Sequence, residues 1–252
     1  MKKNILGVKV DDVGMNQALE TVHKWLDGKS KHYIVTPNPE IIVASQKDLR
    51  YKSILNDADL SIPDGVGLKL SGKVQNTFAG VDFMEELIKH SYDWGFTVGL
   101  IGGQDNVAEK AANCLREKYP GVRIIYAESG GEVDSNGNVI ARNVETKQSN
   151  SEIATPFGLA MTKKVDFLFV AFGPPKQEKW ISANLDKLPV KVVMGVGGSF
   201  DYLSGVVPRA PLILRKLGLE WLFRLIIQPW RVKRQLALIK YLFMLVLNHD
   251  SN

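Results

Sequence analysis

Short apolar runs rich in β-branched residues alternate along most of the chain with longer stretches whose apolar positions recur every three or four residues. The short runs predict strands at 5–10, 32–36, 60–62, 97–101, 123–127, 166–172 and 191–196. The longer ones predict helices at 15–26, 39–47, 66–71, 81–94, 106–118 and 176–185. Regular alternation of this kind is the mark of an α/β protein, a mostly parallel sheet with crossover helices on its faces. In the helix at 106–118, Val107, Ala111, Cys114 and Leu115 share one face, which predicts a core position and an inert thiol for Cys114. The segment 130–151 breaks the rhythm: it is polar and rich in glycine and asparagine, and reads as a surface insertion or hairpin. After Pro208 strands disappear and only helical patterns remain. This places a boundary between a core at 1–207 and a helical appendage at 208–252, with Pro229 breaking or kinking the appendage.

Charge sharpens the division. The chain of 252 residues carries a formal net charge of +5. From Arg209 to Lys240, however, Arg209, Arg215, Lys216, Arg224, Arg231, Lys233, Arg234 and Lys240 face only Glu220. Within this basic stretch Trp221, Phe223, Trp230 and many aliphatics are interleaved, the composition of a segment that rests on an anionic membrane face. A solvated basic side on a core helix is the plainer reading of the same residues. Nucleic acid suits the charge but not the aliphatic content. No run of about 18 apolar residues is present to span a bilayer. The nearest, 236–247, is interrupted by Lys240. The N-terminus lacks the apolar stretch of a signal peptide, and the single cysteine leaves no intramolecular disulfide and fits a reducing cytoplasmic setting.

Ligands of open α/β sheets bind outside the carboxyl ends of the strands, and several of the predicted ends carry unusual residues. Thr36 and Asn38 lie in Thr-Pro-Asn-Pro-Glu, where prolines fix their directions and Asn38 can also cap the next helix. Asp64, in Pro-Asp-Gly-Val-Gly, is placed either as a cap or as a general base. Gly102 and Gly103 allow backbone N–H groups to approach a phosphate at a helix start, or simply make a tight turn. Lys176 and Gln177 follow a Gly-Pro-Pro corner in the first turn of a helix. Gly197 lies in Gly-Val-Gly-Gly-Ser-Phe-Asp, which lacks the third glycine of a dinucleotide fingerprint, so an NAD site is disfavoured. The four histidines have no metal-ligand spacing. Asp57-Ala58-Asp59 matches the DxD of metal-dependent sugar transferases but falls where a helix ends and a strand begins, on the opposite rim. The expected site is therefore free of metal and cofactor.

Five ordered blocks, TPNPE, ILNDADLSIPDGVGL, FVAFGPPKQEKW, GVGGSFDYLSGVVPRAP and LGLEWLFRL, resemble the WecG/TagA/CpsF family of bacterial glycosyltransferases over nearly the whole chain. The resemblance implies a Rossmann-like core and a C-terminal membrane-targeting appendage. It also implies an inverting, metal-independent transfer of N-acetylmannosamine, or its uronic acid, from a UDP donor to an undecaprenyl-diphosphate-linked N-acetylglucosamine. By the same carry-over Asp64 is the base, and Thr36, Asn38 and Gln177 position substrate. Arg224, Arg231 and Arg234 of the appendage bind diphosphate, and the enzyme works peripherally on the inner face of the plasma membrane. A homo-oligomer is left open. One departure is plain: no arginine stands shortly before Gly80. The rival in another class is a UDP-sugar-binding, membrane-docked module without transfer activity.

Overall fold

The computed structural model describes residues 2–141 and 164–249. The chain opens with a hairpin, β1 (Lys2–Ile5) and β2 (Val8–Asp11), followed by α1 (Met15–Asp27), β3 (His32–Val35), α2 (Pro39–Ser45), α3 (Leu49–Asn56) and β4 (Leu60–Ser61). A 3₁₀ segment, Val66–Ser71, leads to α4 (Gly80–Asp93), β5 (Thr97–Gly102), α5 (Val107–Lys118) and β6 (Arg123–Glu128). A second hairpin, β7 (Glu132–Val133) and β8 (Val139–Ala141), begins the polar insertion; the rest of it lies outside the described residues. Then come β9 (Val165–Ala171), α6 (Lys176–Asn184), β10 (Val190–Gly195), α7 (Ser199–Leu203), α8 (Leu212–Lys216), α9 (Glu220–Ile227), a 3₁₀ turn Pro229–Arg231 and α10 (Val232–His249).

Six strands form one sheet in the order β4-β3-β10-β9-β5-β6, and every pairing is parallel. Parallel strands covered on both faces must be apolar on both, and β9 shows the two-residue period clearly. Phe167 and Phe169 enter one cluster with residues of α1, α4 and α5. Leu168 and Val170 enter another with residues of α2, α3 and α6. The second cluster also contains Tyr241 of α10, which is 0% exposed. The last helix therefore returns to the core against α2.

Three expectations are corrected. Residues 5–10 are not one strand of the sheet: Leu6 and Gly7 both have positive φ (51° and 83°), making a two-residue turn that folds the run into the separate β1–β2 hairpin. Cys114 is exposed; the buried stripe of α5 is Val107, Ala108, Ala111, Ala112 and Leu115, rotated off the face that contains Cys114. The helix α3, not expected from the pattern, is capped by Asp48, whose side chain accepts from the Tyr51 amide, and it buries Tyr51, Ile54 and Leu55. Pro229 does end α9, with a 3₁₀ turn before α10. Among the described residues no helix is long and apolar enough to cross a membrane.

Candidate active site

The loops after β3, β4, β9 and β10 meet at the carboxyl rim, and Asp64 sits where the first two join. Its backbone N–H donates to Pro37 O at 2.9 Å, tying the two loops together. Its Oδ1 accepts from the Gly80 amide at 3.2 Å. The N-cap residue of α4 is Ala79, which has no side chain to offer that helix. Asp64 supplies the missing acceptor from a distance in sequence. It is not the cap of the segment it precedes, whose N-cap is Gly65. Burial pushes the Asp64 carboxyl up to about 7. The Gly80 hydrogen bond opposes this, Glu220 and Asp82 add to it, and Arg209 pulls the other way. A carboxylate with such an affinity for protons, partly accessible at the rim, has the strength of a general base at neutral pH.

Thr36 and Asn38 frame this group in different ways. Thr36 is buried beneath Gly80: a Cβ on Gly80 would stand 3.1 Å from Thr36 Cγ2, so glycine there lets the helix start settle onto the threonine. The Thr36 hydroxyl faces Gly195 O at 3.5 Å. Asn38 Oδ1 accepts from the Ile41 amide at 3.0 Å and caps α2.

On the neighbouring loops, two glycine amides and the Gln177 side chain are held by hydrogen bonds within the protein. Gly103 N–H donates to Ala171 O at 3.1 Å. Gly197 N–H donates to Gln177 Oε1 at 2.9 Å. Neither amide is open to a phosphate. Gly102 is a glycine for packing, since a Cβ would lie 2.7 Å from the Ala171 carbonyl carbon. Gln177 is 1% exposed. Its Oε1 also accepts from Gly173 N–H at 3.2 Å, and its Nε2 donates to Glu178 Oε1 at 2.8 Å. Both ends of the amide are occupied in stitching the β9 and β10 loops together. Gly195 leaves room for it, because a Cβ there would come within 2.8 Å of Gln177 Nε2. Glu178 is 1% exposed, accepts further from the Tyr51 hydroxyl at 3.3 Å and is pushed by burial up to about 7. Lys176, which precedes Gln177, is exposed at the rim.

The C-terminal segment arches over these loops. Gly218, at φ +72°, places its α-carbon against Val66, and Leu238 approaches Gly67. Arg224 reaches back to the β10 loop: its Nη2 lies 3.0 Å from where a Gly198 Cβ would stand and 3.7 Å from Asp201 Oδ2. Its guanidinium rests 4.6 Å from the centre of the Tyr202 ring. Burial pushes Asp201 up, against the pull of Arg224 and Arg231, which places Arg231 in the same neighbourhood. The backbone of Arg234 belongs to α10, and its side chain lies outside the described residues. Arg209, Asp82 and Glu220 were given no site role from sequence. Yet Arg209 Nη1 lies 2.6 Å from Asp82 Oδ1, and its Nε donates to Glu220 Oε1 at 3.1 Å, all beside Asp64. The only sequence signal was Glu220 itself, the lone acidic residue in a basic stretch.

Asp57 and Asp59 stand apart from all of this. Asp57 ends α3, and Asp59 accepts from the Tyr33 amide at 2.9 Å and contacts His32, at the amino ends of the strands. No group of three or more His, Cys, Asp or Glu among the described residues is arranged to hold a metal ion.

Residues 3–251 match the model of the glycosyl transferase WecG/TagA/CpsF family. Among similar chains, the N-acetylglucosaminyldiphosphoundecaprenol N-acetyl-beta-D-mannosaminyltransferase of Staphylococcus aureus strain MRSA252 is 32% identical over 240 residues, covering 92% of this chain and 87% of that one. Its counterpart from strain NCTC 8325 / PS 47 is 31% identical over the same coverage. A match of this length shows that the chain belongs to the WecG/TagA/CpsF family of glycosyltransferases.

Proposed function

We propose that this enzyme transfers N-acetylmannosamine, or a close relative such as its uronic acid, from a UDP-sugar to a polyprenyl-diphosphate-linked N-acetylglucosamine, with inversion. The observation that carries the reading is Asp64: a carboxylate at the carboxyl rim, held by a single helix-start amide and poised near neutrality. In a single displacement the acceptor hydroxyl gives its proton to Asp64 as its oxygen attacks the anomeric carbon. The bond from that carbon to the donor phosphate breaks, and UDP departs with the electron pair. The developing charge on UDP needs cations. Arg224 and Arg231 are the groups near the β10 loop suited to this, with Arg234 following one helical turn after Arg231.

The transfer is metal-independent in this reading, because the DxD carboxylates are engaged at the far rim and arginines supply the charge. The membrane enters through the acceptor. Ile213, Trp221, Ile226, Trp230, Ile239 and Phe243 are all exposed on the C-terminal segment, and Trp230 is 71% exposed. Large apolar groups outside the core, set among arginines and lysines, suit the interfacial layer of an anionic bilayer.

The deciding experiment incubates the protein with a lipid-diphosphate N-acetylglucosamine acceptor and a panel of UDP-sugars, and follows UDP release. Release with UDP-N-acetylmannosamine or its uronic acid, surviving EDTA, is expected. UDP-sugar binding without release from any donor would leave only a binding module. Loss on chelation with recovery in Mg²⁺ or Mn²⁺ would show that the charge chemistry has been misassigned.

A further inference from the structure

The C-terminal segment is fixed to the core in two different ways. Ala210 and Tyr241 are both buried, but among the described residues between them none is. The helices α8 and α9 and the turn after them bury nothing. Their apolar side chains, Leu212, Ile213, Trp221 and Ile226 among them, face outward. Helices usually keep their place by burying an apolar stripe. In these two Leu214, Phe223 and Leu225 are only half-buried, so polar contacts add to their hold on the core, and one set of ion pairs converges on Arg209.

Arg209 is fixed from the core side. Val207 and Ala210 on either side of it are buried, and Val207 N–H donates to Asp201 O at 2.9 Å. From that platform the guanidinium forks. One prong takes Asp82 in the first turn of α4, and the other takes Glu220, the first residue of α9. Arg215 of α8 approaches the same Asp82 oxygen at 3.7 Å. Gly80, whose amide holds Asp64, lies in the same helical turn as Asp82. The planar fork of an arginine can grip two carboxylates at fixed angles where a lysine cannot.

We propose that Arg209 is a positioning residue, a polar latch that pins the α8–α9 segment, through Glu220, onto the helix start that holds Asp64. The inference rests on the reading of Asp64 as the base, but it concerns how the segment is held over that base. A latch made of charges can open without exposing a core, which suits a cover that must admit a large lipid-linked acceptor and then close.

The test uses the full chain, with turnover measured on a short-chain, water-soluble acceptor so that membrane docking has no influence. Amide hydrogen exchange is followed across residues 212–227 in wild type, Arg209→Met, Arg209→Lys and Glu220→Ala. The latch predicts exchange faster by about tenfold in Arg209→Met and Glu220→Ala, and an intermediate value in Arg209→Lys. Each of the first two should lower kcat/KM by about tenfold, and the double variant should be no worse than either alone. If Arg209→Met folds poorly, Glu220→Ala, altered on the segment side only, carries the same test. Wild-type exchange in that variant overturns the latch, as do losses that simply multiply in the double variant. Faster exchange with coupled losses, in a protein whose Asp64→Asn variant still turns over normally, keeps the latch and removes Asp64 as the base.

Discussion

Asp64 and Glu178 are two carboxyls at the same rim, both pushed by burial up to about 7. Their surroundings differ in a way that decides their roles. Glu178 is enclosed: one oxygen takes the Gln177 amide, the other the Tyr51 hydroxyl, and 1% of the residue is exposed. Among the described residues Asp64 accepts one hydrogen bond, from Gly80 N–H, and it remains partly accessible beneath an arch of polar contacts. A raised proton affinity therefore marks both groups, and only Asp64 is the base in the proposed mechanism. The base needs an empty acceptor position and a route for the substrate; the enclosed carboxyl instead fixes loops through Gln177.

The sharpest way to break this comparison is to neutralise each group in turn. Asp64→Asn keeps the acceptor for Gly80 and removes basicity, so kcat should fall by about 10²-fold or more with the melting temperature preserved. Steady-state UDP release and a thermal unfolding scan check both halves. Near-normal turnover in a folded Asp64→Asn protein would end its assignment as base.

Glu178→Leu should act on the fold first. It strands the Gln177 Nε2 donor and the Tyr51 hydroxyl in a buried place, at a cost of about 2 kcal/mol in chemical denaturation. Turnover should drop as well, because Gln177 then no longer holds Gly173 and Gly197 in register. Glu178→Gln should recover most of both, since its carbonyl can still accept from Gln177. If Glu178→Gln is as inactive as Asp64→Asn, the enclosed carboxyl takes part in proton transfer and the distinction fails.

These two carboxyls also show which parts of the molecule were legible in the sequence. The strands of the large sheet were visible to within a residue or two because both faces are buried, and their apolar runs had to be continuous. Asp64 was visible because Pro63 and Gly65 bracket it at a strand end, where chemistry is expected. The hairpin turn at Leu6 was hidden because leucine seldom takes a positive φ, so an apolar run appeared unbroken. The helix α3 was hidden by its brevity and the charged residues along it. The hydrogen bonds of Gln177 and the ion pairs of Arg209 were hidden for a different reason: each reaches partners far along the chain, and no local pattern records those contacts.

A pH series separates the two groups further. Each is raised in the folded state above its unfolded value, so each favours folding below the ordinary carboxylate range, and that contribution is lost as pH rises through about 7. Stability of the wild type should therefore decline between about pH 5 and pH 8. Replacing Glu178 by Gln should remove on the order of 1–2 kcal/mol of that decline. Denaturation midpoints at pH 5.5 and pH 8 would show it. An unchanged slope in Glu178→Gln would mean that Glu178 does not titrate in this window.

The smallest effect should come from Tyr51→Phe. The Tyr51 hydroxyl reaches Glu178 Oε2 at 3.3 Å, a long contact, while the shorter one at 2.8 Å comes from Gln177. Burial and the neighbouring Glu178 charge both hold the Tyr51 phenol well above its usual range, so it serves only as a neutral donor. Removing it leaves Glu178 with its better partner and the ring packing intact. The cost should stay below about 1 kcal/mol, within the usual range for one buried hydrogen bond between side chains. Turnover should remain within about a factor of three, because Gln177 still bridges the two glycine amides. The loss of the hydrogen bond accepted at Oε2 should show instead as a further rise in the proton affinity of Glu178, moving the stability decline to higher pH. A Tyr51→Phe protein that loses turnover as Asp64→Asn does, with stability unchanged, would place the enclosed network in the chemistry and not merely beneath it.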